Sequence, residues 1–302
     1  MKRTAILLLA LLALLPTGAQ AAFPGRNGAI VYGYWGESIT YDEDSGDVST
    51  DFAGVAIRDG AQTHVLMHCS KDADSACRPF MYGAPAVSPD GRLVVMRAGD
   101  ALAVIDVHGG TPRLLSHPGS SWDAPAFSPG GRRLVFESSS DGLAPSVWIS
   151  DLDGGRAHRV VTEAHEPVWS TRNWIAFQDE EGAIARVRPS GRGLRRLVSR
   201  GEHPTWAPDG RHVAFVGLHS HRRGIFTMTG DGRHVRRIPF DGLVADVAWS
   251  PDGRRLLVAG EPRRSNATLL SIDLRTDVRT FYVRGTDSLE GFLGVDWQPL
   301  PR

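Results

Sequence analysis

One phrase, written four times along the chain, constrains its folding more than any other feature. Pro85-Ala-Val-Ser-Pro-Asp-Gly-Arg-Leu-Val-Val-Met96 recurs as Pro125-Ala-Phe-Ser-Pro-Gly-Gly-Arg-Arg-Leu-Val-Phe136, as Pro204-Thr-Trp-Ala-Pro-Asp-Gly-Arg-His-Val-Ala-Phe215, and as Val247-Ala-Trp-Ser-Pro-Asp-Gly-Arg-Arg-Leu-Leu-Val258. A fifth copy, Pro167-Val-Trp-Ser-Thr-Arg-Asn-Trp-Ile-Ala-Phe177, lacks the Pro-Asp-Gly. Counted at the turn proline or its equivalent (89, 129, 171, 208, 251), the copies are 40, 42, 37 and 43 residues apart. That is the length of one four-stranded propeller blade, a unit that buries its apolar faces only by stacking on its neighbours.

Each phrase reads as strand, tight turn, strand. Proline presets the turn's first backbone angle and glycine supplies the positive angle that follows. Alternation such as Leu134 and Phe136 against Val135 marks the second strand as buried. A further hairpin follows in each unit, turning at Asp106–Gly110, Asp151–Gly155, Pro189–Gly193, Gly230–Gly232 and Leu274–Asp277. The two chain ends carry the halves of one more unit: Val295-Asp-Trp-Gln-Pro299 begins the phrase and Pro24-Gly-Arg-Asn-Gly-Ala-Ile-Val-Tyr32 completes it. Joined, they predict an all-β, six-bladed propeller of four-stranded antiparallel blades, closed by pairing the N- and C-terminal strands so that no sheet edge stays free.

Residues 1–21 read as a signal peptide: Lys2 and Arg3, an apolar run from Ala5 to Leu15, and Ala19-Gln-Ala21 ahead of the cut. The apolar run is short for a membrane span, and no cysteine follows the cut to take a lipid. Residues 22–302 are then expected to form a single secreted or periplasmic propeller domain, monomeric and without a membrane span. The chain has no net formal charge, and loss of Lys2 and Arg3 leaves it weakly acidic, which argues against a nucleic-acid partner. Cys69 and Cys77, the two cysteines, read as a disulfide across a small loop of an exported protein.

The phrase and its spacing resemble the TolB-like propeller repeat family, found in the periplasmic component of the Tol–Pal system and in the propellers of prolyl-oligopeptidase relatives. The resemblance covers essentially the whole of residues 22–302 and implies the propeller. The segment ahead of the repeats reads as too short for the α/β domain that precedes the propeller in the Tol–Pal component.

In such a ring the first strand of each blade lines a central channel, and the residues ahead of it ring one mouth. Asp123, His165 and Glu166, Glu202 and His203, and Asp246 fall there, a set able to hold a cation or a hydroxyl-rich ligand. The alternative is that loops ahead of strands are simply polar. Two long segments of the first blade, 34–53 and 68–83, read as loops above the same mouth. Trp169, Trp206, Trp249 and Trp297 share one repeat position and are expected to pack between blades. Asp42-Glu-Asp-Ser-Gly-Asp47 reads as a solvated acidic loop, since it lacks the full calcium-loop pattern.

No Gly-x-Ser-x-Gly elbow is present, and Ser88, Ser128 and Ser250 belong to structural turns. The expectation is a non-catalytic scaffold that binds a protein or cell-envelope glycan at the channel mouth. The alternative is a metal-dependent carbohydrate-active or lactone-cleaving propeller enzyme, with a divalent cation in the central channel held by scattered ligands.

Overall fold

The computed structural model describes residues 22–301 except 43–45, 71–81, 118, 141–142, 220–221, 264–265 and 286–288. Its regular structure is six four-stranded antiparallel sheets. The chain enters with β1 (Arg26–Asp42), β2 (Gly46–Asp59) and β3 (Gln62–Ser70), then builds a second blade from β4 (Tyr82–Val87), β5 (Leu93–Ala98), β6 (Ala101–Asp106) and β7 (Arg113–Leu115). Blade three holds β8 (Ser120–Phe127), β9 (Arg133–Ser140), β10 (Ser146–Asp151) and β11 (His158–Thr162). Blade four runs from β12 (Ala164–Trp169) through β13 (Ile175–Asp179), β14 (Ile184–Val187) and β15 (Arg195–Val198). Blade five holds β16 (Gly201–Trp206), β17 (His212–His219), β18 (Arg222–Thr229) and β19 (Arg236–Ile238), and blade six β20 (Gly242–Trp249), β21 (Arg255–Pro262), β22 (Thr268–Asp273) and β23 (Arg279–Arg284).

The final strand, β24 (Leu289–Leu300), completes the first blade in the order β24-β1-β2-β3. Its pairing with β1 sets Ile30 opposite Trp297 and Tyr32 opposite Val295, so the two chain ends close the ring. The four repeated tryptophans each join the apolar layer between their own blade and the one before. Trp206, for example, packs with Val168, Ala176 and Ile184 of blade four and with Val213 and Phe215 of blade five. Trp169, Trp249 and Trp297 do the same at their junctions.

The turn inside each phrase lies at the end of the ring opposite the candidate mouth, here called the lower face. Gly91, Gly131, Gly210 and Gly253 take φ of 74°, 68°, 63° and 71° there. The fifth copy keeps this turn although its sequence has lost the Pro-Asp-Gly. Asn173 adopts φ 60° in the glycine's place and its Oδ1 accepts the Trp169 indole N–H at 2.9 Å, asparagine being the side chain that best tolerates this angle.

Two expectations for the first blade change. Segment 34–53 is not a loop: β1 and β2 pair without interruption from Ile30–Arg58 out to Asp42–Gly46, so the excess length is one tall hairpin. Its acidic tip, residues 43–45, lies outside the described residues. In segment 68–83, β3 continues to Ser70, and Cys77 lies outside the described residues, so the Cys69–Cys77 pairing stays an expectation.

The residues that follow the expected cut cross the lower end of the ring. Ala22 N–H donates to the Trp206 carbonyl at 3.0 Å in blade five, and Gly25 N–H to the Pro251 carbonyl at 3.2 Å in blade six. Phe23, between them, joins the apolar cluster of blades two and three. Ala22 and Phe23 are 2% and 4% exposed.

Candidate functional site

Five of the six inner strands share one irregularity. Three places before the strand's last Val, Phe or Trp, a residue takes positive φ: Ala84 at 48°, Ala124 at 45°, Glu166 at 50°, His203 at 51° and Gly294 at 117°. Each lies at a break in pairing with the second strand, and the four non-glycine residues each precede a proline. For an L-residue this angle costs about 1–2 kcal/mol, so surrounding bonds must hold it. In blade six the bulge falls between Val244 and Asp246, and Asp246 keeps ordinary strand geometry.

Those surrounding bonds run from blade to blade. The Glu137 carboxylate of blade three accepts the Glu166 N–H of blade four at 3.3 Å, and the Glu166 carboxylate accepts the His203 N–H of blade five at 2.7 Å. Asp246 in blade six accepts its neighbour Val247 N–H at 2.8 Å and Val295 N–H of blade one at 2.9 Å. Asp296 in turn accepts Trp297 N–H and, at 2.7 Å, Val87 N–H of blade two. Between blades two and three Arg97 donates to Asp123 at 2.8 Å. The carboxylates at this end of the channel thus stitch inner strands together, accepting the N–H groups of the bulged Glu166 and His203 and of Val87 and Val295 on neighbouring inner strands.

The charges follow from burial and pairing. Burial pushes the Asp123 carboxyl up to about 7 against the pull of Arg97, and the Asp246 carboxyl up to about 7 against the pull of His203. Asp296 is pushed to about 8 by burial. Burial also opposes charging His203, yet the Glu166 charge and hydrogen bond, with Asp246 and Glu202 behind them, raise it to about 10. His203 is therefore an imidazolium, with Nδ1 3.1 Å from Glu166 Oε1. His165 is raised chiefly by its hydrogen bond to Glu137.

The structure brings the six sequence-selected residues to one mouth, in two layers. Asp123, Glu166, His203 and Asp246 are buried and engaged in the stitching. His165, its side chain 31% exposed, stands above Glu137 at 3.4 Å, and Glu202 pairs outward with Arg223, which is 63% exposed. Among the described residues no three His, Cys, Asp or Glu side chains converge closely enough to hold a metal ion. What the collar offers is a rim of paired charges that can exchange partners with an incoming chain.

Sequence reasoning missed Arg97, Glu137 and Asp296. Arg97 and Glu137 each directly follow the phrase, and Gln178 stands in the same column, bonding the Gly201 carbonyl at 3.0 Å. A polar residue there, after an apolar run, faces the mouth because it pairs with the strand start: Arg97 with Gly83, Glu137 with Asp123, Gln178 with His165. Asp296 interrupts a column held elsewhere by Ala86, Ala126, Val168, Thr205 and Ala248. A carboxylate in a near-apolar column was the available signal.

Comparison with known proteins agrees with this architecture. The sequence matches the TolB beta propeller domain over residues 62–253. The chain belongs to the TolB beta-propeller family. A curated relative, the Tol-Pal system protein TolB of Nitratidesulfovibrio vulgaris, is 32% identical over 156 residues, covering 46% of this chain and 33% of that protein. The chain thus spans about a third of that relative's length. The crystal structure of TolB from Acinetobacter baumannii superposes with a TM-score of 0.69 at 19% identity, covering 90% of this chain and 67% of that one. An oligogalacturonate lyase in complex with manganese shares the fold at a TM-score of 0.56 and 12% identity, over 86% of each chain. Among the described residues no helix of this TolB-family chain is long and apolar enough to cross a membrane.

Proposed function

We propose that this TolB-family propeller is exported and acts as a non-catalytic scaffold that binds a protein partner in the cell envelope, at the mouth ringed by Asp123, His165, Glu166, Glu202, His203 and Asp246. One observation carries the reading. Charged side chains gather at this mouth, and the outer ones, His165 and Arg223, remain accessible while the inner ones fix the blades. Charge complementarity of this kind selects and steers a partner. The leader-like residues 1–21 and the likeness to Tol-Pal system proteins support an extracytoplasmic setting. The tall β1–β2 hairpin rises on the same side and would flank a bound chain.

The test uses the exposed layer, because Asp246 and His203 belong to the stitching and their loss would unsettle the ring. The protein carrying Arg223→Glu and His165→Ala is compared with wild type and with a lower-face control, Arg254→Glu, as bait in envelope extracts. A discrete partner retained by wild type and by Arg254→Glu but lost from the rim variant supports the reading. A partner retained equally by all three would contradict it.

A further inference from the structure

Blade three presents an unfilled face to blade two. On β9, Phe136, Ser138 and Ser140 lie two apart and so share that face, and the register carries it across the sheet. Ser138 stands between Trp122 on β8 and Ser146 on β10, and Trp148 between Phe136 and Arg159 on β11. The lower part of the face is apolar. Trp122, Phe136 and, in part, Trp148 pack with Val95, Leu102 and Leu115 of blade two.

The upper part has no such cover. Strand β9 is eight residues long where its counterpart β5 has six, and the outer strand β7 of blade two has only three. The overhang leaves a cleft of about 460 Å³ lined by the serines, Trp148 and Arg159, with Glu163 among its lining residues. That volume lies in the usual range of small-molecule sites.

The polar groups here are unspent. Among the described residues, the hydroxyls of Ser138, Ser140 and Ser146, the Trp148 indole N–H and the Arg159 guanidinium have no hydrogen-bond partner, and Arg159 has no ion pair. Ser146 is only 7% exposed and lines the cleft. Glu163 is held at φ 54°, an angle a non-glycine residue adopts at a cost. These donors, one aromatic edge and an uncompensated cation describe a site for a ligand rich in acceptors, with hydroxyls of its own for Glu163.

We infer that this cleft on blade three binds an acidic saccharide, its carboxylate on Arg159, its ring against Trp148 and its hydroxyls on the serine row. The site is separate from the channel mouth and does not depend on the partner proposed there.

The test is titration of the purified protein with glucuronate, glucose and inorganic phosphate, read by calorimetry and ligand-observed NMR. Glucuronate should bind saturably and at least tenfold more tightly than glucose or phosphate. Arg159→Gln should weaken glucuronate at least tenfold, as expected for loss of a charge-assisted pair, and Ser138→Ala with Ser146→Ala several-fold. Arg159 is exposed, so its variant should unfold with wild type, and Arg223→Glu at the mouth should bind glucuronate unchanged. Absence of saturable binding, phosphate binding as tightly as glucuronate, or unaltered affinity in Arg159→Gln would each overturn the assignment.

Discussion

Asp246 shows how a single side chain serves both the ring and its pH response. It is fully buried, accepts two backbone N–H groups from two blades, and carries a carboxyl pushed up to about 7. Asp123 and Asp296, at about 7 and 8, behave alike, and His203 is raised to about 10. In all four the folded state holds its proton to higher pH than the unfolded chain. Between the unfolded carboxyl value near 4 and the folded values near 7–8, the native state binds more protons, so stability falls as pH rises. The contribution of His203 is fully present below about 6.5 and is lost as pH rises through about 10. Asp209, Asp231 and Asp273, whose values are lowered, act oppositely and lose their contribution only as pH falls below the ordinary carboxylate range. The unfolding temperature should therefore peak in weak acid and fall steadily toward pH 9, and Asp296→Asn should flatten the fall. A scan that rises from pH 5 to pH 9 would contradict these assignments. Asn173 gives a second check at this scale. Asn173→Ala places alanine at φ 60° and strands the buried Trp169 N–H, which should cost about 2–3 kcal/mol. Asn173→Gly relieves the angle alone and should cost less in denaturant unfolding.

Among the elements, the short N-terminal segment and the last strand matter most for their size. Residues 22–25 touch blades on opposite sides of the ring, so they tie its lower end together. Phe23→Ala should destabilise by about 3 kcal/mol, the usual result of emptying a buried aromatic site, and hydrogen exchange should quicken at the lower ends of β8 and β16. Unchanged exchange would show the segment to be an ornament. Deleting Val295–Arg302 removes half of β24, the Trp297 indole from the layer between blades six and one, and both bonds of Asp296. Soluble yield should collapse. A truncated protein melting with wild type would refute the closure. These elements also show what could be read in advance. The phrase and its spacing revealed the six blades and the composite blade, because turn glycines and alternating apolar residues are local signals. The tall hairpin read as a loop because its polar residues carry no apolar alternation to mark a strand. The Asn173 turn was legible only once asparagine is allowed the glycine's angle.

For the molecule as a whole, the two faces of the ring differ in kind. The lower face is made of tight turns and the N-terminal segment. The opposite face holds the bulges, the buried carboxylates, the accessible His165 and Arg223 and the tall hairpin. The sequence pointed to this mouth through the residues ahead of each inner strand. It did not show that four of the six residues there would be occupied in holding blades together, since that depends on which groups of the neighbouring blade the ring brings within reach. The central claim is that this face, and not the other, meets a partner. Photo-crosslinking in intact cells tests it most directly, with a benzoylphenylalanine placed at position 223 on the mouth or at position 254 on the lower face. A discrete protein adduct from position 223 and none from position 254 is the expected result; an adduct from position 254 alone, or none from either position in folded protein, would contradict the account.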